Sequence, residues 1–214
     1  MDYQLRQGGR AASQFLSELS FMAAGLRPKV DADIAARGLN EQTLADDLDE
    51  RLRQVDAALA DSAASRALVT IGEWCAVNHG RIAQAAFEEI RPEIEPKLRA
   101  LQSGPTTLVA HPEKPIPGYF KEGPWIHRTT GGWDGHDYQG FVHGELVHRT
   151  YVARNYGGNI YGQRRAILEE LRNREPKRIL EIGSSSGNFT LQLQEELPQA
   201  EIRGCDISLR MLEQ

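Results

Sequence analysis

Cysteines, long apolar runs and an excess of positive charge are all missing or scarce in this 214-residue chain. The 2 cysteines, Cys75 and Cys205, are too far apart in sequence to indicate a disulfide framework or a metal-binding spacing. No apolar stretch approaches the roughly 18 residues of a membrane-spanning helix, and from the first residues we expect no signal peptide. Lys and Arg total 25 against 30 Asp and Glu, with no strongly basic stretch. We therefore expect a cytoplasmic protein with neither a nucleic-acid nor a membrane partner.

The first of three regions, residues 1–102, has the apolar periodicity of amphipathic helices. Four patterns recur at helical spacing, at Phe15, Leu19 and Met22; at Leu44, Leu48, Leu52, Val55 and Leu59; at Leu68, Ile71 and Cys75; and at Ile82, Ala86 and Ile90. Pro92 and Pro96 crowd the end of the last pattern and predict the end of its helix. We predict a helical domain whose apolar stripes form its core. One stripe serving as the seam of a homodimer is the alternative.

The second region, residues 103–150, combines features of a connection and of a binding site. Its 48 residues contain 5 of the 6 histidines, 5 of the 10 prolines and 6 of the 15 aromatic residues, Trp125 and Trp133 among them. The prolines argue against a long helix, whereas the aromatic residues argue against a freely flexible linker. We expect a segment that packs on the rest of the chain, either as structural cover or as a lid over a substrate.

The third region, residues 151–214, has the pattern of a strand, a Gly/Ser-rich loop, a helix and a second strand. A short apolar run at 178–182 predicts the first strand, and Gly183–Gly187 follows it directly. The helix that begins at Asn188 stops at Pro198, and a second strand is predicted at 201–206. This order is typical of the opening of a parallel α/β sheet. Cys75 and Cys205 are interpreted as core residues and not as nucleophiles.

The loop after the first predicted strand and the acidic residues near it suggest a ligand-binding site. Glycine gives a loop backbone angles that other residues avoid, and its missing side chain lets a ligand approach the backbone. Glu181 stands two positions before Gly183, where its carboxylate disfavours a pyrophosphate but could orient a cationic ligand. Asp206 ends the second strand 19 residues after Gly187. An acidic residue at that place in a nucleotide-binding fold accepts hydrogen bonds from ribose hydroxyls.

These residues resemble a known family. The string from Ile179 to Thr190 looks like motif I of the class I S-adenosylmethionine-dependent methyltransferases, and residues 205–214 are similar to the segment that follows it. The resemblance implies that S-adenosyl-L-methionine is the cofactor. It also implies a role for six residues: Gly183, Ser185 and Gly187 line the methionine part with Glu181 beneath them, Asp206 holds the ribose hydroxyls, and Ile207 lies against the adenine. Ser185 stands where the family usually has glycine, and its side chain narrows the cleft.

The fold and function follow from this resemblance as expectations. The fold class would be α/β, with an N-terminal helical domain followed by the start of a Rossmann-like parallel-sheet methyltransferase domain. The family's sheet has seven strands, and two are recognisable here, so we expect an incomplete form of the domain. A fragment, a truncated reading frame and a partner that completes the sheet are all compatible with the sequence. The expected activity is methyl transfer to a small-molecule acceptor, and activity of this chain alone is doubtful.

Two other functions stay open on the residues themselves. The spacing of Asp206 also suits an NAD(P)-dependent oxidoreductase, although the third glycine of a dinucleotide-binding loop is missing and Glu181 fits poorly beside a pyrophosphate. A non-catalytic helical dimerisation or interaction protein is the second alternative.

Three histidines of the middle region are candidate general bases, because histidine titrates near neutral pH. They are His136, His143 and His148. The alternative for each is a structural role, as a hydrogen-bonded histidine in a packed loop. No two of them are four residues apart, and no familiar ligand signature is present. We therefore predict no metal site.

Overall fold

The structure is a computed structural model that describes residues 2–101, 104, 106–111, 113–118, 134–155 and 162–213. It is mostly helical, with one pair of parallel strands among the described residues. The predictions for Trp125 and Trp133 lie outside those residues. Among the helices that are described, none is long and apolar enough to cross a membrane.

The described elements up to residue 101 are all helices, and both strands lie after residue 101. The first helices are α1 (Gln7–Ala24), α2 (Arg27–Ala36), α3 (Leu48–Leu59) and α4 (Ala63–Leu101). Helix α5 covers residues 139–155 and is α-helical over Gln139–Phe141, π-helical over Val142–Val152 and α-helical over Ala153–Asn155. A 3₁₀ turn at Gly162–Arg164 leads to α6 (Arg165–Arg174), β1 (Arg178–Ile182), α7 (Asn188–Glu196), β2 (Glu201–Cys205) and α8 (Leu209–Leu212).

Helix α4 continues through the two prolines at which its end was predicted. Pro92 and Pro96 lack the N–H that would bond the carbonyl four residues earlier, and a proline inside a helix usually kinks or breaks it. The same helix carries an unbroken buried stripe, formed by Ala83, Phe87, Ile90, Ile94 and Leu98. We attribute the continuation to this stripe, since tertiary packing routinely overrides local preference.

Residues Glu18–Cys75 form one of two compact units. Asp47 begins α3 as its N-cap, because its carboxylate accepts the N–H of Glu50 at 2.9 Å. Helix α3 contacts α2 but buries only Ala58. The prediction that the leucines of this stripe are core residues is therefore wrong for Leu48 and Leu52, which are 74% and 60% exposed.

Residues 1–17 and 76–214 form the other unit. Its main core packs the buried stripe of α4 against α5 and the residue before it, through Tyr138, Phe141, Val142, Leu146 and Val147. These two units are defined by contacts between residues. The region limits at 102 and 150 were predicted from amino-acid composition instead, and they stay predictions.

A smaller core lies beneath the strands. Strands β1 and β2 pair in parallel, with Ile179 opposite Ile202 and Ile182 opposite Cys205. Helices α6 and α7 cover one face through Leu168 and Leu193, together with Leu197, the residue that follows α7. On the other face Leu180 and Ile182 are 62% and 82% exposed. Cys205 is exposed as well, so the prediction that it is a core residue is wrong, whereas Cys75 is buried.

Candidate cofactor site

The loop Gly183–Gly187 turns sharply at the carboxyl end of β1. Gly183 and Gly187 have φ angles of 73° and 74°, in the left-handed region that favours glycine. The carbonyl of Cys205, at the end of β2, accepts two N–H groups of the loop, from Gly183 at 2.8 Å and from Ser184 at 3.0 Å. Gly187 is the N-cap of α7. The loop is thereby fixed to both strands and leads directly into a helix N-terminus, where backbone N–H groups lack intrahelical partners.

Asp206 joins the loop to the end of β2. Its Oδ2 accepts the backbone N–H of Ser185 at 2.8 Å, and its Oδ1 accepts that of Ser208 at 2.9 Å. Ser208 in turn caps α8, because its hydroxyl accepts the N–H of Met211 at 3.2 Å. A carboxylate oxygen can accept more than one hydrogen bond, so both oxygens of Asp206 keep acceptor capacity for a ligand. Ile207, next in sequence, is 41% exposed.

The carboxylate of Glu181 is fixed by a hydroxyl group on α7. Its Oε2 accepts the hydroxyl of Thr190, on α7, at 2.5 Å. Gly204 of β2 lies beside this pair, since a Cβ at Gly204 would stand 2.9 Å from the Ser184 side chain and 3.1 Å from the Thr190 hydroxyl. The six residues predicted to bind a cofactor thus lie together at the carboxyl ends of β1 and β2. Their binding roles stay predictions.

The connecting helix α5 lies directly on this loop. A Cβ on Gly144 would stand 2.5 Å from Ser186 Oγ and 2.9 Å from Asn188 Nδ2, so a side chain at this position would displace the Ser186 and Asn188 side chains. Asn188 Nδ2 donates to the same Ser186 hydroxyl at 2.9 Å. The contact places part of the predicted lid, residues 103–150, against the candidate cofactor loop.

His136 is bonded through both ring nitrogens. Its Nδ1 lies 3.0 Å from the N–H of Tyr138 and therefore accepts it, so Nε2 carries the ring proton and donates to Glu88 at 3.2 Å. Its side chain is 13% exposed. In this arrangement neither nitrogen is open to take a proton from a substrate, which favours the structural interpretation of His136.

His143 and His148 form a pair on the π-helical part of α5. Their ring centroids are 4.2 Å apart and edge-to-face, and His143 is 4% exposed. Residues five apart reach the same face because a π-helix bonds i to i+5, as the bond from Ala153 N–H to the His148 carbonyl illustrates. Across the part of the chain that the structure describes, no three His, Cys, Asp or Glu side chains form a group that could hold a metal ion. Both histidines stay candidate bases.

A polar cleft of about 250 Å³ adjoins α8. It is lined by Glu88, Arg91, Asp134, Gly135, His136, Asp137 and Arg210. Its charged groups largely pair with one another, through Arg91–Glu88 at 3.1 Å and Arg210–Asp137 at 3.3 Å. Asp134 Oδ1 accepts the Ser208 hydroxyl at 2.5 Å, which connects the cleft to the segment that follows Asp206.

Comparison with known proteins adds one functional indication. A stretch of 52 residues is 38% identical to demethylmenaquinone methyltransferase from Deinococcus radiodurans. That stretch is 24% of this chain and only 22% of the length of that relative. No family model matches the chain. No solved structure matches it either. That relative is named as a methyltransferase, and the mostly helical structure of this chain with its two parallel strands is compatible with an α/β fold.

The residues at the loop fit the cofactor that the resemblance implies. A Cβ on Gly183 would meet nothing within 4 Å, so a ligand can reach the backbone there. The hydroxyl oxygens of Ser184 and Ser185 are buried and have no hydrogen-bond partner, and Asp206 has acceptor capacity to spare. Sequence reasoning missed Gly144 because its contact with Ser186 joins distant parts of the chain.

Proposed function

We propose that this chain binds S-adenosylmethionine at the loop Gly183–Gly187 and at Asp206, and that it takes part in methyl transfer to a small-molecule acceptor. The observation that carries the proposal is the bond from Ser185 N–H to Asp206 Oδ2, which joins the two cofactor motifs at the ends of parallel strands. The similarity of a short stretch to a methyltransferase supports it.

Each residue has a physical task in this proposal. The glycines at 183 and 187 let the methionine part of the cofactor approach the loop backbone. Asp206, already oriented by two backbone N–H groups, accepts the ribose hydroxyls with its remaining lone pairs. Ile207 offers an exposed apolar side chain to the adenine. When bound, the cofactor would supply a methyl group on its sulfonium sulfur, and the neutral thioether would be the leaving group.

Positioning of the acceptor then accounts for most of the catalysis that the protein must provide. Helix α5 is suited to this because Gly144 sets it against the cofactor loop. If the acceptor must lose a proton, His143 and His148 on the same helix are the candidate bases, and His136 is disfavoured by its two hydrogen bonds. A small-molecule acceptor is in keeping with the absence of a basic stretch in the sequence.

The experiment is a calorimetric titration of the 214-residue chain with S-adenosylhomocysteine, the demethylated form of the cofactor. Asp206→Ala should weaken binding by about 1–3 kcal/mol, because the ribose hydroxyls lose a charged hydrogen-bond acceptor. Glu201→Ala is the matched control, since it removes one carboxylate from the other end of the same strand, where Glu201 is 51% exposed and pairs with Arg203. The control should bind like the wild type.

The same titration separates the alternatives. Binding of NADH without binding of S-adenosylhomocysteine would replace the proposal by an oxidoreductase. Binding of neither compound would favour the non-catalytic interaction protein. Equal affinity of Asp206→Ala and the wild type would contradict the ribose role.

A further inference from the structure

Ser208 connects Asp206 to a distant part of the chain. Its backbone N–H donates to Asp206 Oδ1 at 2.9 Å, and its hydroxyl donates to Asp134 Oδ1 at 2.5 Å. The residue is fully buried. Because the N–H and the side chain belong to one residue, a partner that fixes the Ser208 hydroxyl also helps to fix the N–H that donates to Asp206.

The bond from Ser208 to Asp134 is of a strong kind. A hydroxyl that donates to a carboxylate makes a charge-assisted hydrogen bond, which is shorter and roughly twice as strong as a neutral one. Ser208 caps α8, which has only 4 residues, and one helical turn is too short to be stable by itself. We therefore attribute the position of Ser208 to this bond and to the packing of α8 against the start of α5.

A second link joins the same two segments of the chain. Asp137 pairs with Arg210 of α8 at 3.3 Å, and their side chains are 68% and 44% exposed. Exposed ion pairs of this kind contribute little to stability. Asp137 thus has the charge and the neighbourhood of Asp134, but its partner lies two residues beyond the residue that donates to Asp206.

We propose that Asp134 is a positioning residue for the ribose part of the cofactor site, and that it acts through Ser208 on the carboxylate of Asp206. This inference rests on the proposed function. Two backbone N–H groups, from Ser185 and Ser208, orient that carboxylate in the free chain. An acceptor that is oriented before the ligand arrives loses less freedom on binding. Without Asp134, the Ser208 N–H is less well fixed, and the ribose hydroxyls meet a less ordered acceptor.

The test compares two ligands on variants of the 214-residue chain by calorimetric titration. S-adenosylhomocysteine carries both ribose hydroxyls, whereas its 2′,3′-dideoxy analogue carries neither and keeps the adenine and the amino-acid part. Asp134→Ala removes the acceptor of the Ser208 hydroxyl, and Asp134→Asn keeps an oxygen acceptor there. Asp134→Glu moves the carboxylate by one methylene and takes the place of Asp134→Ala in the comparison if that variant does not fold. Asp137→Ala is the matched control, because it removes the neighbouring carboxylate.

Asp134→Ala should bind S-adenosylhomocysteine about fivefold more weakly, within the range of coupling between residues of one hydrogen-bond network. Its affinity for the dideoxy analogue should equal that of the wild type, because this ligand has no hydroxyl for Asp206 to accept. Asp134→Asn should recover most of the lost affinity, and Asp137→Ala should bind both ligands like the wild type. In a chain that already carries Asp206→Ala, Asp134→Ala should cause no further loss.

A merely structural role of Asp134 would give a different result. If Asp134→Ala weakens the binding of both ligands by the same factor, or if Asp137→Ala has the same effect as Asp134→Ala, the inference is overturned. Equal binding of S-adenosylhomocysteine by Asp134→Ala and the wild type overturns it as well and leaves the proposed function standing. If the wild type binds the two ligands equally, the ribose role of Asp206 fails together with the inference. If the wild type binds neither, the proposed function itself fails.

Discussion

At the scale of single residues, two non-glycine residues among those described have positive φ angles, and their surroundings differ. Ser185 lies in the candidate cofactor loop, whereas Glu175 ends helix α6 with φ 47° and an exposed side chain. The Glu175 N–H bonds the carbonyls of Leu171 and Arg172, as expected of a residue that closes a helix. Nothing about Glu175 suggests a ligand, so we assign its left-handed backbone angle to the end of the helix alone.

Glu175→Gly should therefore raise the free energy of unfolding by about 1 kcal/mol, because glycine adopts the left-handed angle without steric cost. Glu170→Gly, inside the same helix, is the control and should lower stability by about 1 kcal/mol. Urea denaturation followed by circular dichroism measures both changes. A loss of stability in Glu175→Gly would contradict the angle assigned to this residue.

Glu95 provides a prediction about pH. Its carboxylate accepts hydrogen bonds from Arg91 at 3.0 Å, from Arg99 at 2.7 Å and from the Tyr138 hydroxyl at 2.7 Å. These bonds, with that from Arg91 the strongest influence, lower the pKa of Glu95 from 4.5 to about 2. A carboxyl group with a lowered pKa stabilises the fold above its unfolded-state pKa, and that stabilisation is lost as the pH falls.

The contribution of Glu95 should thus be complete above pH 4.5 and disappear between pH 4.5 and about 2. Glu95→Gln should be less stable than the wild type at neutral pH, and the difference should shrink on acidification through that window. Thermal melting across the pH range measures it, with Glu93→Gln as the control for removing one carboxylate from the helix. A difference that stays constant down to pH 2 would show that these bonds do not depend on the charge of Glu95.

At the scale of elements, the candidate site depends on how closely α5 approaches the loop. Gly144 makes that approach possible, whereas Gly72 of α4 is a helical glycine with nothing within 4 Å of an added Cβ. The same substitution at the two positions should therefore have opposite consequences.

Gly144→Leu should lower the free energy of unfolding by about 1–3 kcal/mol, the range for overpacking a tight contact, and should weaken binding of S-adenosylhomocysteine. Gly72→Leu should be neutral or raise stability by up to about 1 kcal/mol, since leucine is the better helix former. Denaturation and calorimetry on both variants measure this. Equal effects of the two substitutions would mean that α5 does not lie on the loop in solution.

The elements also show what local sequence can predict. The apolar run that predicted a strand at 178–182 forms β1 over Arg178–Ile182, and the strand predicted at 201–206 forms β2 over Glu201–Cys205. Both depend on short-range periodicity and on glycine and proline boundaries. The continuation of α4 through Pro92 depends instead on packing partners far along the chain, which no local pattern contains.

In the candidate site, too, local sequence could predict some features and could not predict others. The positions of Glu181 and Asp206 followed from their spacing to the glycine loop, and the structure places them there. The π-helical part of α5, which brings His143 and His148 together, could not be predicted, because it depends on a hydrogen-bond register that residue spacing does not encode. The contact between Gly144 and Ser186 could not be predicted from the sequence either.

At the scale of the whole molecule, the two-stranded sheet is covered on one face only by the described residues. Ile179 packs into the core beneath α6 and α7, whereas Ile182, on the same strand, is 82% exposed. Parallel strands are normally buried on both faces. Among the described residues, this face of the sheet therefore has no covering element, and the expectation of an incomplete domain stays a prediction.

Ile182→Thr should therefore change the free energy of unfolding by less than about 0.5 kcal/mol in the 214-residue chain, as for an exposed residue. Ile179→Thr, facing the other way, should cost about 1 kcal/mol or more. Chemical denaturation distinguishes them. If Ile182→Thr costs as much as Ile179→Thr, this face is covered in solution, and the sheet is not open as the structure has it.

The measurement that tests the central claim most directly is an amide NMR titration of the ¹⁵N-labelled chain with S-adenosylhomocysteine. The backbone N–H groups of Ser185 and Ser208 both donate to Asp206, so they report on any ligand that shares its carboxylate. The account predicts saturable shifts of these two amides and of their neighbours in 183–187 and 206–208. Unchanged Ser185 and Ser208 amides at high ligand concentration, or shifts confined to another part of the chain, would contradict it.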